Sequence, residues 1–123
     1  MVNEFGKKIK EKRLQVGASL RKVCESVLNE DGKPISVSYL NDIEQGYRNP
    51  PGGRIIVQLA EKLGLNAHDL LNLAGKVDPL IEDMASKEPE IAVLYRRIAE
   101  NYRQNPEILK KINKELDKEK NQK

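Results

Sequence analysis

The sequence predicts an all-α fold, and three observations carry that reading. Apolar residues recur at helical spacing, as in Leu20, Val23, Cys24, Val27 and Leu28, which follow i, i+3, i+4, i+7, i+8. Cap residues mark the segment ends, with Ser19, Ser36 and Asn66 at starts and Gly17, Gly46, Gly64 and Gly75 at stops. The period-2 alternation of a half-buried strand is absent throughout.

Each helix can be justified in turn. The first is expected from Glu4 to Val16, with Phe5, Ile9 and Leu14 as its apolar stripe and Gly17 ending it. The second is expected from Leu20 to Leu28, capped by Ser19. Asn29-Glu-Asp-Gly-Lys-Pro34 is a loop by every local signal. The third helix is expected over Val37 to Gln45, where Leu40 and Ile43 lie three apart on one buried face. Tyr47 to Gly53 is a Pro/Gly-rich connection. The fourth helix is expected from Arg54 to Leu63 with Ile55, Ile56, Leu59, Ala60 and Leu63 inward. The fifth is expected from Ala67 to Ala74, burying Leu70, Leu71 and Leu73.

A first domain is expected over residues 1–76, and a helical extension over 77–123. In the extension, Pro79, Pro89 and Pro106 are read as N1 residues of three further helices. The first of these should end near Ala85. The second carries the stripe Ile91, Leu94, Ile98 and Tyr102, and the third Ile108, Leu109, Ile112 and Leu116. The polar stretch Lys118 to Lys123 is expected to fray.

Composition narrows the function classes. The 123 residues are 38% hydrophobic and 33% charged, so the core is small and aliphatic with solvated faces around it. The net charge of +3 is mildly basic. Lys7, Lys8, Lys10, Lys12 and Arg13 cluster against Glu4 and Glu11, which suits either phosphates or a plain solvated face. No apolar run is long enough to span a bilayer and no signal peptide is evident, so a cytoplasmic protein is expected. One Cys and one His are too few for a structural zinc site. No Gly-rich phosphate loop, metal-ligand spacing or nucleophile elbow occurs, so neither an enzyme nor a cofactor is expected.

The stretch Ile35 to Pro50 stands out. Its helix presents a small polar face of Val37, Ser38, Asn41 and Asp42, with Tyr39 at the edge. Ser38, Tyr39 and Asn41 can donate to base edges or phosphates, and Asn is a bidentate reader of adenine. Asp42 is repelled by phosphate but can accept from a cytosine amino group. An ordinary exposed helix face is the competing reading.

Several short motifs recur in one order: Gly6, Ile9 and Arg13; Gly17-Ala-Ser19; Val23-Cys24; Ser36 to Glu44; Gly46; Asn49-Pro50; Leu59-Ala60; and Gly64 to Leu71. In this the chain resembles the lambda-repressor-like, Cro/CI-type (XRE-type) helix-turn-helix regulators, over about residues 4–75. The resemblance implies a five-helix DNA-binding domain whose third helix enters the major groove. It places the family's small-residue site on Cys24 and its recognition positions on Ser36, Val37, Ser38, Tyr39, Asn41 and Asp42. It makes Arg13 and Glu44 a structural pair, and it makes Tyr47, Arg48 and Asn49 phosphate contacts.

Three features depart from the family pattern. Leu20 replaces a DNA-contacting Gln, which shifts phosphate anchoring to Arg21 or Lys22. The loop from Leu28 to Ile35 is longer than the usual tight turn, which leaves the angle between the helices open. Lys33 could reach a phosphate from it, against the opposing Glu30 and Asp31. Pro51-Gly52-Gly53 slightly lengthens the next connection.

The expected function is a sequence-specific DNA-binding transcriptional regulator, a repressor, acting on double-stranded DNA as a homodimer. Val37, Ser38, Tyr39, Asn41 and Asp42 would read bases. Arg21, Lys22, Lys33, Ser36, Tyr47, Arg48 and Asn49 would hold phosphates. Ile91, Leu94, Ile98, Tyr102, Ile108, Ile112 and Leu116 would bury against a second copy or another protein. The alternative is an antitoxin or partner-controlled protein whose C-terminal helices bind that partner.

Overall fold

Cap residues set the helix boundaries in the computed structural model, which describes residues 3–121. Among the described residues eight helices follow in order: α1 Glu4–Gln15, α2 Leu20–Cys24, α3 Val37–Gln45, α4 Gly53–Leu63, α5 Ala67–Ala74, α6 Pro79–Lys87, α7 Pro89–Gln104 and α8 Ile108–Asn121. The side chains of Asn3, Ser19, Ser36 and Asn66 each accept from a backbone N–H in the first turn of α1, α2, α3 and α5. Gly46, Gly64 and Gly75 close α3, α4 and α5 in the left-handed region, where a Cβ would be strained. The fold is all-α. Among the described residues there is no strand, only one isolated antiparallel bridge between Leu28 and Pro34.

That bridge marks the main correction. The second helix was expected to reach Leu28, but α2 stops at Cys24. The chain then turns so that Val27 and Ile35 can pair, the Ile35 N–H donating to the Val27 carbonyl at 2.9 Å. Both side chains are buried by this pairing, whereas Leu28 is left exposed. β-Branched residues suit such an extended pair better than a last helical turn.

Smaller corrections follow from helical phase. Leu14 is exposed, because α1 buries Phe5, Gly6, Ile9 and Arg13 and Leu14 lies about 100° past that row. Leu73 is exposed because it lies about 160° around α5 from Leu71, outside the arc that Leu70 and Leu71 bury. Pro79 and Pro89 do open helices, but Pro106 lies in a turn before α8, where the Ile108 N–H donates to the Asn105 carbonyl. The polar tail is helical as far as Asn121, and residues 122–123 lie outside the described residues.

By internal contacts the chain divides into two units, Met1–Pro79 and Leu80–Lys123. The first holds one core, contributed by α1 to α5 and the Val27–Ile35 pair. Ile9, Leu40, Ile43, Ile56, Leu59 and Leu63 are fully enclosed there. Each such side chain contributes about 1.5–3 kcal/mol of burial. Among the described residues of the second unit there is no comparable core. α7 packs on α8, yet neither helix has a buried residue. Ile91, Ile98, Ile108 and Ile112 are half-buried, while Leu94, Tyr102 and Leu116 are exposed. No helix among the described residues is long and apolar enough to cross a membrane.

Candidate nucleic-acid interface

α3 is held from beneath by a dense set of contacts. Leu40 and Ile43 enter the core, and Glu44 is buried beside them. The Arg13 guanidinium grips the Glu44 carboxylate with two donors, Nε to Oε2 at 2.7 Å and Nη2 to Oε1 at 2.9 Å. Its Nη1 donates to the Ala18 carbonyl at 3.0 Å. The hydrogen bonds to Glu44 push the Arg13 pKa further above its ordinary value. Asn3 adds a second tie, donating to the Glu44 carbonyl at 2.9 Å while its Oδ1 accepts from the Gly6 N–H at 3.1 Å. Gly6 is where α1 and α3 cross most closely, and a Cβ there would strike the Ile43 carbonyl oxygen. The orientation of α3 is thus specified by packing, by charge and by backbone approach together.

The opposite face of α3 points away from the core. At about 100° per residue, Ser38 and Gln45 lie in its middle. Val37 and Asn41 flank one side, Asp42 and Tyr39 the other. Ser36, Val37, Ser38 and Gln45 are exposed, and Tyr39, Asn41 and Asp42 are half-buried. The Ser36 hydroxyl oxygen accepts from the Tyr39 N–H at 3.0 Å, which leaves its own proton to donate outward. Gln45 was not among the sequence candidates. Its signal was available, since it lies seven residues from Ser38 and four from Asn41, on the same face.

Beyond Gly46 the chain bends back along α3. The Tyr47 N–H donates to the Asp42 carbonyl at 2.9 Å. Tyr47, Arg48 and Asn49 are all exposed, and Arg48 leans back towards the helix. Its Nε lies 3.7 Å from Asp42 Oδ2, and its guanidinium carbon lies 5.2 Å from the centre of the Tyr39 ring. The structure therefore joins two base-reading candidates, Tyr39 and Asp42, to a phosphate candidate, Arg48.

The long loop before α3 is stapled rather than loose. Asn29 closes its turn, accepting through Oδ1 from the N–H groups of Asp31 and Lys33 at 2.9 and 3.1 Å. Gln58 of α4 serves Leu28 as a neighbouring strand would. Its Oε1 accepts from the Leu28 N–H at 2.7 Å and its Nε2 donates to the Leu28 carbonyl at 2.9 Å. Gln58 too was missed, because nothing in a helical pattern marks a polar residue that pairs with a loop backbone. Cys24 Sγ lies 3.5 Å from the Ser36 carbonyl, and burial raises its thiol pKa. The entry to α3 is thus tied to α2 and α4 despite the added length.

Other cations of the first unit differ in their surroundings. Arg21, Lys22 and Lys33 are exposed, with no side-chain ion pair or hydrogen bond among the described residues. Lys7 and Lys8 line a shallow groove with α5 in which Glu4, Glu11 and Asp69 offset their charge. His68 is exposed, 3.8 Å from Asp78. No group of three or more metal-ligating side chains occurs among the described residues. No protein-family model matches the chain, and comparison with curated proteins and with solved structures finds no match.

Proposed function

We propose that the protein is a sequence-specific DNA-binding transcriptional regulator of the Cro/CI-type helix-turn-helix class, acting in the cytoplasm as a repressor and homodimer. Its first five helices would form the DNA-binding domain, with α3 in the major groove. The observation that carries this reading is the contrast between the two sides of α3. One side is fixed by Leu40, Ile43, the Arg13–Glu44 pair and Asn3. The other offers Ser38, Asn41 and Gln45, short or amide side chains suited to base edges. Orienting one short helix this firmly has an evident use when its outward face must meet a rigid ligand in one register. Arg21, Lys22 and Lys33 supply unpaired positive charge for phosphates on the neighbouring elements.

An amide-resolved NMR titration with duplex DNA tests this. The expected shifts concentrate in residues 36–49, with smaller ones at Arg21, Lys22 and Lys33. Absence of binding at low salt, or shifts confined to α7 and α8, rejects the reading.

A second reading is favoured by the exposed apolar residues of the second unit, Leu94, Tyr95, Tyr102, Leu109 and Leu116. An antitoxin or partner-controlled protein would use them to hold another protein. Sedimentation of the chain alone separates the two. A stable dimer in which Leu94 and Tyr102 are protected from solvent supports the homodimer and weakens the partner reading.

A further inference from the structure

Arg48 combines neutralised charge with unspent hydrogen-bonding capacity. At 3.7 Å from Nε, the Asp42 carboxylate takes its charge without taking a hydrogen bond. The guanidinium is also steadied over the Tyr39 ring, at 5.2 Å. Tyr39 and Asp42 are one turn apart on the same edge of α3, so a single side chain can meet both. Among the described residues the Arg48 side chain makes no hydrogen bond, and it is 57% exposed. Its planar fork of donors is therefore aimed and unoccupied.

We propose that Arg48 and Asp42 together read one G·C base pair, with Tyr39 positioning the guanidinium; this rests on the assignment of α3 as a DNA-reading helix. A phosphate suits the pair poorly. It would satisfy Arg48 but repel the adjacent Asp42, and the pair brings no net charge to it. The major-groove edge of a G·C pair suits both groups. Guanine O6 and N7 accept the two donors of the fork, and the cytosine N4 amino group donates to a carboxylate. Acceptors and donor lie side by side on that edge, as the guanidinium and carboxylate do on α3. The same pairing lowers attraction to DNA of any other sequence, since Asp42 offsets one positive charge until a matching edge engages Arg48.

The test uses the full chain, with Asp42→Asn and Arg48→Lys variants. Binding sequences are selected from a random duplex pool with the wild type. Affinities are then measured from 50 to 200 mM salt on the selected site, on that site with each G·C pair changed to A·T, and on unrelated DNA. The wild type should show one position per half-site with a G·C preference of about 5- to 150-fold. Arg48→Lys keeps the charge but lacks the planar fork, so it should weaken that preference with its salt slope unchanged. Asp42→Asn should reduce the preference, tighten binding to unrelated DNA and steepen the salt slope by about 0.9. Both positions are partly exposed, so the melting curves of both variants should match the wild type. The pairing is overturned if Arg48→Lys binds every site as the wild type does, or if Asp42→Asn leaves both preference and salt slope unchanged. A wild type that selects no sequence instead removes the DNA-reading assignment of α3 itself.

Discussion

Replacing Glu44 by Ala should remove a large share of the first unit's stability. Arg13 and Glu44 are 8% and 3% exposed, so neither charge is well solvated in the folded state. Removing the carboxylate leaves the guanidinium with the Ala18 carbonyl as its acceptor and an uncompensated buried charge. Breaking a buried pair from one side costs about 3–5 kcal/mol. A unit of this size holds only about 4–12 kcal/mol in total. With a denaturant slope of about 1–1.5 kcal/mol per molar urea, the midpoint should fall by about 2–5 M. Urea titration followed at the Leu40 and Ile43 amide resonances reads the first unit alone. The double change Arg13→Met with Glu44→Leu should recover most of the loss, because a buried pair and an apolar replacement are often close in stability. The raised Arg13 pKa keeps its contribution present below the ordinary arginine value, so no alkaline loss from this pair is expected below about pH 12. A cost under about 1 kcal/mol for Glu44→Ala would refute the reasoning, since that is the value of an exposed pair.

Other perturbations probe the remaining supports of α3. Gly6→Ala should destabilise by about 1–3 kcal/mol in the same titration, although Ala ordinarily favours a helix over Gly, because its Cβ meets the Ile43 carbonyl; a stabilised variant would deny the close crossing. Gln58→Ala should cost about 0.5–1.5 kcal/mol and speed hydrogen exchange at the Leu28 amide, leaving the Ile35 amide protected. For Cys24, the folded thiol has the raised pKa, so the unfolded chain loses its proton first and stability falls as pH rises above about 8.5. Denaturation at pH 7 and 10 should show that the wild type loses more stability than Cys24→Ala, and equal losses would contradict the burial argument.

What could be read from the residues, and what could not, divides along physical lines. Local chemistry was legible. Ser36 and Gly46 bound α3 where cap preferences put them, and Leu40 and Ile43 are buried at the spacing that placed them inward. The Arg13–Glu44 contact came only from the family resemblance, because nothing in the sequence links residues this far apart. Contacts that depend on tertiary approach were not legible. The early end of α2 reflects a pairing between Val27 and Ile35 that outweighs the helical periodicity through Leu28. Gln58 pairs with a backbone, so no side-chain pattern announces it. The approach of Arg48 to Asp42 was not legible either, because it forms only after the left-handed turn at Gly46.

The central claim is that the outward face of α3 reads base sequence. Selection of bound duplexes from a random pool, with the wild type and a Ser38→Ala, Asn41→Ala double variant at the same stated salt, tests it most directly. The wild type should enrich a palindrome whose half-sites lie about 34 Å apart, one helical turn of DNA. The double variant should fold normally, bind weakly and lose the palindrome, keeping only the single G·C preference that Arg48 and Asp42 confer. Enrichment of the same palindrome by both proteins would contradict the account, because the face held outward by Arg13, Glu44 and Asn3 would then not be the one that reads.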